Sequence, residues 1–264
     1  MILHINSQFD SGNIEVINLQ SNPIELAIRH DNQSDFYQWF HFSIAGAKDR
    51  DELKLSLINA AGAAFAEGWQ YFQVVASYDR EEWFRVPTCY EDGCLIFNHA
   101  PEHDLVWYSY FTPYSWERHQ DLIGWAQTSD ICTLATIGNS LDGRPVSLLT
   151  IGDASTQKRK IWLTARQHPG ETMAEFAIEG LLEKLLDPSD ACSRTLLEGA
   201  VFYIIPNMNP DDSVSGHLRT NAAGVNLNRE WLDATMAQSP EVVLVDNQGI
   251  PAYGQRSVSY THLN

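Results

Sequence analysis

The sequence predicts an antiparallel β-sandwich domain followed by an α/β domain with a mixed sheet and flanking helices. Three observations lead there. Before residue 112, short runs of alternating apolar residues recur between turn residues, with no long helical pattern. After it, a strand, a helix-period segment and a wholly apolar strand follow one another. At 264 residues and 44% hydrophobic, the chain is long enough to bury a core in each half.

Taken in order, "FYQWFHFSI" places Phe36, Gln38, Phe40, Phe42 and Ile44 on one side of an extended segment. "LKLSL" puts Leu53, Leu55 and Leu57 on one face. "GWQYFQVVASYDREEWFRV" reads as a hairpin turning at Asp79-Arg80, "YEDGCLIF" carries an Asp-Gly turn pair, and "LVWYSYF" alternates again. "TPYS" marks the boundary, with Ser115 capping a helix from Trp116 and Glu117 favourably placed in its first turn. "ICTLATIG" and "RPVSLLTIG" flank "NSLDG" as a hairpin, and "KIWLTA" is a short apolar strand. Met173, Phe176, Ala177, Leu181 and Leu185 then fall at helical spacing until Asp187-Pro188. "GAVFYIIP" is apolar throughout, which suits the middle of a covered sheet. The organisation expected is a sandwich over 1–112, an α/β domain over 113–245, and an atypical tail over 246–264 that lacks core periodicity and reads as foreign sequence.

Composition narrows the partners. Seventeen Lys plus Arg against 34 Asp plus Glu give a formal charge of −17, which argues against nucleic acid and anionic membranes, since both need a positive surface field. The first residues show no basic stretch leading into an apolar one, and no apolar run approaches the roughly 20 residues that span a bilayer. Cys89, Cys94, Cys132 and Cys192 lack C-x-x-C spacing and read as reduced thiols, so a cytoplasmic protein is expected.

The chemistry-bearing residues sit at strand ends. His168 and Glu171 follow "KIWLTA" across Pro169 and Gly170. A His and a Glu three apart over a turn suit zinc, whose catalytic sites use three protein ligands and leave one position open. The same pair is equally a polar loop residue and a carboxylate at a helix N-terminus. A second cluster, "NMNPDDSVSGHLRTNAAGVNLNREW", follows the apolar strand, where α/β sheets bind ligands. Arg219, Asn228 and Arg229 in it are donors matched to a carboxylate.

Together, "HPGE" (168–171), "NPD" (209–211) and "RTNAAGVNLNREW" (219–231) resemble the M14 zinc metallocarboxypeptidases, in particular their cytosolic-carboxypeptidase branch. The resemblance extends over most of residues 36–231 and includes the β-rich segment in front. It implies Zn²⁺ held by His168 and Glu171, Arg219 polarising the scissile carbonyl, and Asn228 with Arg229 binding a substrate's terminal carboxylate. The implied substrate is the C-terminus of a peptide or protein.

Two parts of that family's site have no counterpart in pattern, a third His ligand and a general-base Glu. The His after Arg229 is His262, outside the family's context, and Glu230, Asp233, Glu241 and Asp246 are not in the base's context either. "SPEVVLV" resembles the start of the family's next helix, so a truncated and inactive chain is expected. Two other functions fit parts of the pattern: an amidohydrolase like aspartoacylase or succinylglutamate desuccinylase, or a non-catalytic protein that binds C-terminal carboxylates. The β-rich segment in front favours the peptidase. Asp212 and Asn226 also depart from the branch, which usually has Gly and often Asp there.

Overall fold

The structure, a computed structural model, describes residues 3–48, 50–155 and 157–248. Two compact units are present: residues up to Pro113 together with Val214–Leu218, and Tyr114–Ser213 together with the chain from Arg219 onward.

The first unit contains β1 (His4–Asn6), β2 (Glu15–Asn18), β3 (Ile24–Ala27), β4 (His41–Ala45), β5 (Leu53–Leu57), β6 (Val75–Ser77), β7 (Phe84–Arg85), β8 (Thr88–Glu91), β9 (Cys94–His99) and β10 (Leu105–Ser109). They form two five-stranded sheets, ordered β1-β4-β10-β6-β7 and β2-β3-β5-β9-β8. Phe42, Ile44, Ala76, Val106 and Tyr108 of the first share one core with Leu26, Leu55, Leu57, Leu95 and Phe97 of the second. The Asp79-Arg80 and Asp92-Gly93 hairpins form as the turn residues require; Asp92 and Gly93 both take positive φ, 50° and 80°.

Two details differ from expectation. β3 and β5 pair in parallel, so the sandwich is not wholly antiparallel. The strand in "FYQWFHFSI" begins only at His41. Upstream, Tyr37–Phe40 is buried at every position instead of alternating. There the Gln38 side chain stands in for a strand partner, accepting from Phe65 N at 2.7 Å and donating to Phe65 O at 3.0 Å.

The second unit contains α1 (Trp116–Ala126), β11 (Cys132–Asn139), β12 (Pro145–Ile151), β13 (Arg159–Thr164), α2 (Thr172–Leu185), α3 (Ala191–Gly199), β14 (Ala200–Ile205), the first four residues of α4 (Pro210–Ser215), and α5 (Pro240–Asp246). Ser115 caps α1 by accepting from Arg118 N at 3.1 Å. α3 was not evident from periodicity; Asp190 caps it by accepting from Ser193 N at 2.7 Å. The sheet order is β11-β12-β14-β13, antiparallel except for the parallel β13–β14 pair, which makes it mixed. β14 is interior, as its apolar sequence requires. Leu149, Ile151, Leu163 and Ile204 pack with Ile178, Leu182 and Leu185 of α2.

All four cysteines are free. Among the described residues no helix is long and apolar enough to cross a membrane. Of the tail, 246–248 are described; the remainder, including His262, lies outside the described residues.

Candidate metal and carboxylate site

Parallel pairing places the carboxyl ends of β13 and β14 side by side, with Thr164 opposite Ile205. The two loops that leave these ends are stitched together, since Ala165 N donates to Ile205 O (2.9 Å) and Met208 N donates to Ala165 O (3.0 Å). One loop carries "HPGE", the other "NPD". The strand ends of an α/β sheet are the usual place for a ligand.

A third loop, from Arg219 to Trp231, is tied to the first two. Asn209, fully buried, donates through Nδ2 to Thr220 O (2.9 Å) and to Gln167 O (3.4 Å). The indole of Trp231 donates to Gln167 Oε1 at 2.9 Å. Within the loop, Asn221 accepts from Ala223 N and Val225 N through Oδ1 and donates to Glu241 Oε2 at 3.0 Å. Burial pushes the Glu241 carboxyl up to about 7, helped by the nearby charges of Asp211 and Asp212, while hydrogen bonds from its own backbone N–H and Asn221 oppose the rise. Glu241, unplaced by sequence reasoning, therefore supports this loop.

His168 is 1% exposed, and its Nδ1 lies 2.9 Å from Glu171 Oε1 while its Nε2 lies 3.1 Å from Asn226 Oδ1. Glu171 is the N-cap residue of α2 but makes no capping bond with its side chain. Its Oε2 is buried without a hydrogen bond. Asn226 Oδ1 also accepts from Asn228 N at 3.1 Å, capping the short 3₁₀ turn Leu227–Arg229. Asn228 is half-buried, and Arg229 is exposed, with Nη1 donating to Asn228 O at 3.2 Å. Arg219 is half-buried at the start of the same loop. The structure thus joins His168, Glu171 and, through Asn226, Asn228, while the Arg229 guanidinium donates to the carbonyl of Asn228.

An imidazole nitrogen beside a carboxylate with one unbonded buried oxygen is a donor set that suits zinc. It supplies two ligands. Among the described residues no group of three His, Cys, Asp or Glu is placed to hold a metal ion.

Beneath the "HPGE" turn lies a charged network that sequence reasoning missed. Arg166, in the left-handed region at φ 52°, donates to Pro169 O (3.0 Å), Tyr114 O (2.7 Å) and Glu175 Oε2 (2.9 Å). Glu175, fully buried on α2, also contacts His119 Nδ1 of α1 at 2.5 Å and Asn207 Nδ2 at 3.4 Å. Its position was the available signal, a carboxylate three and seven residues ahead of the buried Ile178 and Leu182. Asp211 of "NPD" points away from this network. It accepts from Ser140 Oγ, Asp142 N and Arg144 Nη1 at 2.7–2.9 Å and so pins the β11–β12 turn.

Residues 5–111 match the family model of the cytosolic carboxypeptidase N-terminal domain, and residues 123–250 match that of the zinc carboxypeptidases, M14. An uncharacterized protein of Zymomonas mobilis is 49% identical over 247 residues, which cover 94% of this chain and 64% of that protein. The crystal structure of a metallo-carboxypeptidase from Burkholderia cenocepacia is 44% identical with a TM-score of 0.91, covering 96% of this chain and 68% of that one. A metallo-carboxypeptidase from Pseudomonas aeruginosa, in complex with (2-guanidinoethylmercapto)succinic acid, is 44% identical with a TM-score of 0.90, covering 93% and 66%. The chain spans about two-thirds of the length of these relatives. With both family matches in order along its length, the chain belongs to the M14 zinc carboxypeptidases, in the group that carries the cytosolic-carboxypeptidase N-terminal domain.

Proposed function

We propose that the chain serves a zinc-dependent metallocarboxypeptidase that hydrolyses the C-terminal peptide bond of peptides or proteins in the cytoplasm. The observation that carries this reading is the His168–Glu171 pair, with its unbonded carboxylate oxygen, linked through Asn226 to the Asn228–Arg229 turn. His168 and Glu171 hold the metal. Zinc, when bound, supplies Lewis acidity toward a carbonyl and makes water nucleophilic near neutral pH. Arg219 meets the negative charge that develops on the scissile carbonyl oxygen. Asn228 and Arg229 take the terminal carboxylate through charge-assisted hydrogen bonds, which restricts reaction to the last peptide bond. The succinic-acid ligand of the Pseudomonas relative presents carboxylates of this kind.

The test is binding of one labelled peptide with a free or an amidated C-terminus, with and without Zn²⁺. The free carboxylate is expected to bind about 10–100-fold more tightly, the worth of a charged hydrogen bond. Arg229→Ala is expected to remove that preference. Equal affinity for the two peptide ends rules the reading out. Preference for the free end without zinc uptake would select the second reading, a non-catalytic carboxylate binder, which the lack of a three-residue metal cluster among the described residues favours.

A further inference from the structure

β11 is the first strand of its sheet, so among the described residues it has a strand partner on one side only. Natural sheets blunt such an edge with charge, proline or brevity. β11 is eight residues long, and neither a charge nor a proline occurs from Ile131 to Leu141, in a chain whose formal charge is −17. Thr133, Leu134, Ala135 and Thr136 are all exposed. A bulge interrupts the strand between Thr136 and Gly138, which leaves Cys132–Thr136 regular.

Hydrogen-bond parity fixes which groups face outward. Ile131 O accepts from Gly152 N at 2.8 Å, so alternate residues from there, Thr133 and Ala135, bond to β12 as well. Leu134 and Thr136 therefore turn both N–H and C=O to the open side. Cys132 turns out its C=O, its N–H being given to Ser129 O at 3.0 Å. The Leu134 side chain, 36% exposed, lies on the same face as Cys132, which packs in the core with Leu149 and Ile151.

We propose that this edge pairs with the β11 edge of a second copy of the chain, antiparallel, with the two Leu134 residues facing each other across a two-fold axis. Outward-turned residues can bond only to outward-turned residues, so the register sets even positions against even ones. Centring on Leu134 lets each Leu134 exchange both backbone bonds with its counterpart, while each Thr136 N–H donates to Cys132 O of the other copy. It also covers the two exposed leucine side chains with each other. Centring on Ala135 would set Leu134 against Thr136 and forfeit that cover. Charge does not oppose the contact, because Asp130 would face Gly138 of the other copy. The two Asp130 residues then stand about 27 Å apart at the strand rise, beyond the screening length at physiological salt. Pairing uses the free β11 edge of both copies, so the assembly closes at two.

Sedimentation velocity of the native chain from about 1 to 300 µM is expected to show a monomer–dimer equilibrium, weak because the contact is small. A chain that stays monomeric throughout overturns the proposal. Leu134→Lys and Leu134→Glu each set like charges face to face and are expected to weaken association about 100-fold. Mixed in equal amounts, the two variants are expected to recover the dimer, since opposite charges then meet at the axis. A dimer that survives either substitution places the interface elsewhere, and a mixture that stays monomeric rejects the register; either result overturns the proposal. Should a variant fail to fold, amide exchange in the native chain decides instead. Exchange at Leu134 and Thr136 is expected to slow as the chain is concentrated, while Thr133 and Ala135, bonded to β12 in either state, are slow throughout. Rates at Leu134 and Thr136 that ignore concentration overturn the pairing.

Discussion

His41 in the sandwich and His119 in the α/β unit are each 1% exposed, yet their surroundings are opposite in kind. His41 sits among Phe9, Trp39 and Trp83, with Ser11 Oγ 3.0 Å from Nδ1 and no hydrogen bond at Nε2. Burial, together with the charge of Arg80, lowers its pKa to about 3, so it is a neutral ring. His119 stacks on Trp116 and meets the Glu175 carboxylate, which Arg166 also engages. One unit buries a polar group by neutralising it; the other buries charges by pairing them. Pairing contributes little net stability when built, but it makes each member costly to remove. A scaffold can rely on the first device. The turn that carries His168 and Glu171 is braced by the second, since the Arg166 clasp on Pro169 O rests on Glu175.

The largest expected effect breaks the pairing. Glu175→Ala leaves the Arg166 guanidinium buried without its counter-charge and is expected to cost about 3–5 kcal/mol in urea unfolding. A loss under about 1 kcal/mol would mean that the pair behaves like a surface contact, and the contrast would collapse.

The second prediction concerns acid. His41 has a folded pKa of about 3 against 6.5 for a free imidazole, so the unfolded chain takes up the proton first as pH falls. The stability contribution is complete above about pH 6.5 and declines by about 1.4 kcal/mol per pH unit below it, about 2 kcal/mol by pH 5. Unfolding of the native chain and His41→Phe across pH 4–8 would isolate this term, and a slope that survives in His41→Phe assigns it elsewhere. The smallest effect separates either device from ordinary helix chemistry. Ser115→Ala removes the α1 cap, and a loss of about 1 kcal/mol in Tm-derived stability is expected.

The readable parts of the fold were those fixed by local chemistry. The Asp92-Gly93 turn, the Ser115 cap and the apolar β14 each depend on residues adjacent in sequence. β1, β2 and β3 escaped because they are three or four residues long, and β2 is exposed throughout, so no alternation develops. The parallel β3–β5 pairing was hidden because it joins segments about 30 residues apart with nothing local to specify it. In the site, His168 and Glu171 stood out because they share one turn. His119 did not, since only the fold brings it to Glu175, 56 positions away.

The sandwich is made from two separate stretches of chain, and that bears on inheritance as much as on folding. Val214–Leu218 supplies Val214 O to Ser11 N at 2.7 Å, Gly216 O to Asn13 Nδ2 at 2.7 Å and Leu218 N to Asp31 Oδ1 at 2.7 Å. At Gly216, φ is 76° and a Cβ would come within 2.6 Å of Ser11 O, so a residue inside the segment that matches the zinc carboxypeptidase model is constrained by the amino-terminal one. A gene fragment ending at Pro113 would encode a sandwich with those partners missing. Such a domain is not a cassette that recombination can shuffle freely, and the two family segments are expected to be gained and lost as one unit.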